Sequence, residues 1–262
     1  MRPFPLALVL GAVAGAGCHS DPAAEPSRPT QPTAGRAPNR EEALAELQRA
    51  KAFLKTEGEG PERKLIEVDF RFVPVGDEGL RALRLFPELK FVGLLGCPVT
   101  DAGLEHLRPL SELETIVLGG TRITDAGLAV VAEWPRLRRL EFQSTQVTDA
   151  GLVHLKKLKG LGYVKAGGTR ISDTGMQHLA EIVALEYLNL VQTRVGDAGV
   201  ERLARLPSLK ALYLDGCPVT DLGVAHLKVT RALEVLSVRG TIVTAEGAVA
   251  VQEGRPELQV MR

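Results

Sequence analysis

The sequence predicts an α/β solenoid in which a short strand and a short helix alternate at a fixed period. Three observations carry this prediction. One phrase recurs eight times, from Val75-Gly-Asp-Glu-Gly-Leu80 through Ile123-Thr-Asp-Ala-Gly-Leu128 to Val243-Thr-Ala-Glu-Gly-Ala248, and each copy starts 24 residues after the last. Ahead of each phrase, buried-type residues such as Ile116 and Leu118 alternate with polar or small ones, which is the period of a half-buried strand. Behind each Thr-Asp pair runs a short stretch with helical spacing, as in Leu128, Val131 and Trp134. A period in the 20–50 residue range means a stacked array, because one such unit buries too little to fold alone.

The elements follow in chain order. Residues 1–18 read as a secretory leader: Arg2, an apolar run from Phe4 to Ala16, then small residues before Cys18. The run is too short to span a bilayer. The segment resembles a bacterial lipoprotein signal, and that resemblance implies lipidation of Cys18 and a lipid anchor to the membrane. Gly15 departs from the Leu such signals prefer, and plain cleavage near Gly17 is the competing reading. Residues 19–38, rich in Pro and Ala and poor in large apolar side chains, predict a disordered tether. Residues 39–60 predict one capping helix, running from Asn39 to about Glu57. Asn39 and Glu42 suit a capping box, the apolar stripe is Ala43, Leu47, Ala50 and Leu54, and Gly58, Gly60 and Pro61 stop it. Residues 61–262 form the repeat domain.

Within a repeat, Leu113, Ile116, Leu118 and Ile123 give the spacing LxxLxLxxTxI, which resembles the leucine-rich repeat. The following Thr-Asp-Ala-Gly-Leu resembles its cysteine-containing type, found in substrate receptors of ubiquitin ligases and in bacterial proteins. The resemblance covers residues 65–262. It implies a horseshoe with a parallel concave sheet and short helices on the convex side, and a protein-binding role. A ubiquitin-ligase-like receptor would need a helical adaptor domain before the repeats, and only one predicted helix precedes them.

The Asp column (77, 101, 125, 149, 173, 197 and 221) raises a calcium ladder or helix capping. Asp stays where Thr is lost, at Gly76 and Gly196, and Thr244 stays where Asp is lost, at Ala245. Every repeat thus keeps one cap, and capping is the reading adopted. The Gly after each Asp predicts relief of crowding where the helix meets the next coil. His106, His154, His178 and His226 share a register on the helical side without ligand-spaced partners and read as a solvated face. Cys97 and Cys217 share a register five repeats apart, on the order of 24 Å at the spacing of stacked strands, beyond disulfide reach. They read as small buried residues.

Charge and motif content exclude several functions. The 32 basic and 32 acidic residues balance without a basic run, so nucleic acid is not a predicted partner. No nucleophile motif, phosphate loop or paired-carboxylate pattern stands out from the repeat register, and neither an enzyme nor a cofactor is predicted. The predicted partner is a protein, with glycan or cell wall as the alternative ligand.

The concave strand positions then hold the candidate site. All three tyrosines fall there in consecutive repeats: Tyr163 and Tyr187 as neighbours and Tyr213 diagonal to them. Arg139, Lys165, Asn189 and Asp215 flank them, and Phe91 supplies a further ring. Large rigid amphipathic rings ringed by polar groups are the composition of a binding hot spot, although Tyr also simply suits exposed strands. At the end of the chain, Leu258 to Met261 begins another strand after a one-residue slip. Its open edge is either tolerated or pairs with a second copy. Beneath the tyrosines, Ala166 stands where other repeats bury Leu or Phe, with Gly162, Gly167 and Gly168 nearby. A thinner, softer coil is expected there, and amide hydrogen exchange over residues 161–170 should be faster than over the equivalent positions of neighbouring repeats.

Overall fold

The computed structural model describes residues 39–60, 63–71 and 73–262, and residues 38–262 form one unit. The leader, Cys18 and the tether lie outside the described residues. Ten strands make one sheet in sequence order: β1 (Phe53–Glu57), β2 (Lys64–Asp69), β3 (Phe91–Gly93), β4 (Thr115–Val117), β5 (Arg139–Glu141), β6 (Tyr163–Lys165), β7 (Tyr187–Asn189), β8 (Ala211–Tyr213), β9 (Val235–Ser237) and β10 (Gln259–Met261). From β2 onward neighbours are parallel and paired at an offset of 24 residues, as in Val92↔Ile116 and Ile116↔Leu140. The helices are α1 (Arg40–Arg49), α2 (Asp101–Glu105), α3 (Asp125–Val131), α4 (Asp149–Leu155), α5 (Asp173–Leu179), α6 (Asp197–Leu203), α7 (Asp221–Ala225) and α8 (Ala245–Gln252). The first coil has a 3-10 helix, Asp77–Leu85, in place of an α-helix, and its N-cap Gly76 provides no side-chain acceptor.

The middle residue of each short strand points inward and the outer two point out. Val92, Ile116, Leu140, Val164, Leu188, Leu212 and Leu236 are fully buried, while their neighbours line the sheet face. A single continuous core runs the length of the array. Trp134 is in it, its indole N–H donating to the Leu107 carbonyl at 3.3 Å. Ala166 is also buried, and its N–H keeps the ladder bond to the Asn189 carbonyl at 2.8 Å. Cys97 and Cys217 are free and buried. Burial raises both thiol pKa values, and Cys217 Sγ lies 3.1 Å from the Leu190 carbonyl it donates to.

Three expectations need correction. The predicted helix over 39–57 ends at Arg49. Its start is the capping box read from the sequence, with the Glu42 N–H donating to Asn39 Oδ1 at 2.9 Å and the Asn39 N–H to Glu42 Oε2 at 3.0 Å. It stops because Lys51 turns left-handed, φ 59°. The Lys51 N–H then bonds the Gln48 carbonyl and the Ala52 N–H the Leu47 carbonyl, a Schellman termination with Lys where Gly is usual. The residues beyond become β1, antiparallel to β2, which covers backbone groups that would otherwise form an open sheet edge.

The Asp column does not cap its own helices. Helices α2 to α5, α7 and α8 are capped by the preceding Thr or Ser, as where Thr124 Oγ1 accepts from the Ala126 N–H at 3.3 Å. Gly76 and Gly196 provide no side-chain cap although Asp77 and Asp197 follow them. Each Asp reaches the next repeat. Asp101 Oδ1 accepts the Thr124 N–H at 2.8 Å and its Oδ2 accepts the Thr124 hydroxyl at 2.6 Å. The same pair of bonds joins Asp77 to Thr100, Asp125 to Thr148, Asp149 to Ser172, Asp197 to Thr220 and Asp221 to Thr244. Asp173, facing Gly196, takes the N–H groups of Gly196 and Gly199 instead. The glycine column is the seat of these carboxylates: a Cβ at Gly103, Gly127, Gly151, Gly175, Gly199, Gly223 or Gly247 would overlap Oδ1 of the Asp from the preceding repeat.

The third correction is at the C-terminal end. The slip is confined to the approach, where Leu258 is buried in place of a residue one step earlier. The strand itself returns to the 24-residue offset, Gln259↔Val235 and Val260↔Leu236. There the core column turns polar: buried Arg255 donates to the carbonyls of Thr230 at 2.9 Å and Val251 at 2.7 Å.

These staples predict a specific non-additivity. Asp101→Ala should cost about 2–3 kcal/mol for two charge-assisted bonds, and Gly127→Ala about 1–3 kcal/mol for overpacking against that carboxylate. In the double variant the clash is gone, so the combined loss should fall short of the sum by at least ~1 kcal/mol, measured by chemical denaturation.

Candidate functional site

The tyrosines come together because the strand register brings them together. Tyr163 pairs directly with Tyr187, and Asn189 pairs with Tyr213. The Tyr163 and Tyr187 rings are stacked, centroids 4.0 Å apart and planes 7° from parallel. Tyr213 closes on Tyr187 at 5.2 Å with a 39° tilt. On the other side, from β5, the Arg139 guanidinium lies 3.7 Å above the Tyr163 ring, and Lys165 Nζ is 5.7 Å from its centre. A guanidinium and three rings thus form a continuous stack across four strands. Each contact adds about 0.5–1.5 kcal/mol beyond burial, so the surface is ordered before any partner arrives. Burial raises the pKa of all three phenols, reinforced at Tyr187 and Tyr213 by the adjacent tyrosine, and they remain neutral donors and acceptors at neutral pH.

Beside the stack lies an open recess of about 580 Å³, lined by Arg71, Phe91, Leu95, Thr115, Val117, Arg139, Glu141, Gln143 and Lys165. Its electrostatic centre is Glu141, 6% exposed. Glu141 Oε1 accepts from Arg139 Nε at 2.8 Å, and Oε2 lies 3.5 Å from Lys165 Nζ. The pairing follows from register, since Glu141 and Lys165 are cross-strand partners. Gln143 Oε1 is buried without a hydrogen-bond partner among the described residues.

Of the residues singled out in the sequence, Tyr163, Tyr187, Tyr213, Arg139 and Lys165 form one cluster. Asn189 and Asp215 stand beside it but are engaged locally. Asn189 Oδ1 accepts from the Val191 N–H at 3.2 Å, while Asp215 Oδ1 accepts from the Ser237 hydroxyl and the Arg239 N–H, at 2.5 and 2.8 Å. Phe91 is three strands from Tyr163, in the wall of the recess and away from the stack. Glu141 and Gln143 were missed as site residues. The signal for Glu141 was an acid flanked on one sheet face by Arg139 and Lys165. Among the described residues no group of His, Cys, Asp and Glu is placed to hold a metal ion, and no helix is long and apolar enough to cross a membrane.

Comparison with known proteins agrees on the fold. A leucine-rich repeat family model matches residues 185–204. No curated protein sequence matches the chain. Among solved structures, an internalin, InlF, of Listeria monocytogenes superposes with a TM-score of 0.53 at 19% identity, covering 70% of this chain and 56% of that one. Internalin C2 of the same organism gives 0.61 at 21% identity, covering 75% of this chain and 80% of its own. The chain therefore spans little more than half of the first and four fifths of the second, and what it shares with them is the leucine-rich repeat solenoid.

The buried carboxylate supports the recess in a measurable way. Glu141→Gln should lower unfolding free energy by about 1–2 kcal/mol, since it removes the negative charge that two neighbouring cations share. The deficit should shrink as salt screens their repulsion. Unfolding curves at two ionic strengths read both effects.

Proposed function

We propose that this leucine-rich repeat solenoid is a non-catalytic protein-binding module that holds its partner on the concave sheet, with Tyr163, Tyr187 and Tyr213 as the anchor. The observation that carries this reading is the stack itself. Three rigid rings and Arg139 are already ordered, so little side-chain entropy remains to be lost on association. Their geometry also favours protein over glycan. A sugar ring stacks on an open aromatic face, whereas both faces of Tyr163 are covered, by Arg139 on one side and Tyr187 on the other. Hydroxyls and ring edges remain, suited to backbone and side-chain groups of a protein. The ubiquitin-ligase-like alternative loses support from residues 39–60, where α1 and β1 close the end of the sheet.

The proposed setting is the cell envelope, reached through the leader at residues 1–18 and a lipid on Cys18, with residues 19–38 as spacer. This part rests on the sequence alone.

Affinity capture from envelope extract tests the reading. Residues 39–262 should retain a partner that the Tyr163→Ala, Tyr187→Ala, Tyr213→Ala variant loses, at matched thermal stability. An equal catch by both would sink the concave-face assignment.

A further inference from the structure

We infer that the recess beside the tyrosine stack is a subsite for an acidic side chain next to an apolar one on an extended segment of the partner. The inference rests on the concave face being the partner surface, and it adds which chemistry that face selects.

Charge on this face is stratified. The carboxylates lie low and the cations stand above them: the Asp69 side chain is 12% exposed against 51% for its partner Arg71, and Glu141 is 8% exposed against 40% for Arg139 and 31% for Lys165. A ligand approaching from solvent meets the cations first. Asp69 is matched one to one by Arg71, but Glu141 serves both Arg139 and Lys165. One positive charge is left over. Arg139 holds its geometry through the Nε bond to Glu141 and its seat on the Tyr163 ring, at 2.8 and 3.7 Å. Lys165 reaches Glu141 only at 3.5 Å, so it is the cation free to turn to an incoming carboxylate. The pair of them presents donors on either side of one anion, a charge-assisted arrangement.

The rest of the recess defines what accompanies that anion. Phe91, Leu95 and Val117 supply apolar lining on the side away from the tyrosines, a place for an aliphatic or aromatic side chain. The lining extends from Arg71, just past β2, to Lys165 on β6, four strand spacings, or roughly 19 Å. An extended peptide rises about 3.3 Å per residue, so the recess fits a segment of about six residues better than a single small acid.

The test uses the full chain, immobilised, and a random dodecapeptide display library as probe. Selected peptides should be enriched in Asp or Glu beside an aromatic or aliphatic residue, and a synthetic copy with that acid changed to its amide should bind at least fivefold more weakly. In Lys165→Met the acid–amide difference should fall below twofold, while Lys165→Arg, which keeps the charge, should preserve it. Lys165 is half-exposed, so neither variant threatens folding. Selected peptides without an acidic preference, or a preference unchanged in Lys165→Met, overturn the subsite. If the same peptides are lost with Tyr187→Ala, the concave-face reading survives that result. Peptides that show neither an acidic preference nor any loss with Tyr187→Ala, or no selection above bare surface, overturn both.

Discussion

Everything in this array depends on a single threonine–aspartate exchange repeated from coil to coil. The Thr hydroxyl donates to the carboxylate of the preceding repeat and accepts from the second N–H of its own helix, so one side chain closes a helix end and joins two repeats. The carboxylate is fully employed, one oxygen on the Thr N–H and the other on its hydroxyl. Only glycine fits opposite it, because any Cβ there would occupy the carboxylate's position. Three columns, Thr, Asp and Gly, are therefore one device. The first copy confirms the polarity: Gly76 has no preceding Asp to bind. Gly196 is the internal exception, and there Asp173 compensates by taking a second backbone N–H, from Gly199.

The device fixes more than stability. A staple from each Asp to the Thr 23 residues on, just ahead of the next copy's Asp, holds the period at 24, and the strand ladder pairs residues at that 24-residue offset on the opposite side of the core. With both sides locked, residues equivalent in sequence face one another across strands. That is why Tyr163 and Tyr187 meet face to face. The backbones of paired strands are about 4.8 Å apart, and the rings lean together to 4.0 Å. A one-residue slip between β6 and β7 would send one ring into the core side and dissolve the stack. The tyrosine stack on this face is thus a consequence of register.

Much of this was legible in the sequence, because periodicity reports what repeats. The parallel sheet, the buried strand centres, Trp134 in the core and the tyrosines on one face all follow from position modulo 24. What was not legible involved partners separated by a repeat or signals carried by the wrong residue. The Gly column was legible as relief of crowding against an adjacent coil, but the Asp carboxylate as the crowding group was not, since a capping role explained the Asp column. The end of α1 was hidden because its left-handed residue is Lys51, where Gly would have announced it. Arg255 gave no signal at all: a charged residue reads as surface, and only the slip before β10 places it among carbonyls at the end of the core.

The departures from the consensus have a pattern of their own. The left-handed position after each strand is glycine at 96, 120, 168, 216 and 240, yet Ser144 and Gln192 hold it at φ 56°, one repeat either side of Gly168. Such a conformation costs a non-glycine residue about 1–2 kcal/mol. Between them, the coil under Tyr163 is reduced to Ala166, Gly167 and Gly168, and a Cβ at Gly167 would press on the Val191 carbonyl at 2.9 Å and on Asn189 Oδ1 at 3.0 Å. The next coil therefore leans into the gap left by the small residues, beside the stacked rings. Glu141, buried with two cations, lies on the other side of the same coil. A frame built from identical columns tolerates strain, small residues and a buried carboxylate only where neighbouring repeats hold them in place. These costs adjoin one another across β5, β6 and β7, and uniform repeat packing does not call for them. Their clustering around the tyrosines sets this stretch apart from the repeats on either side of it.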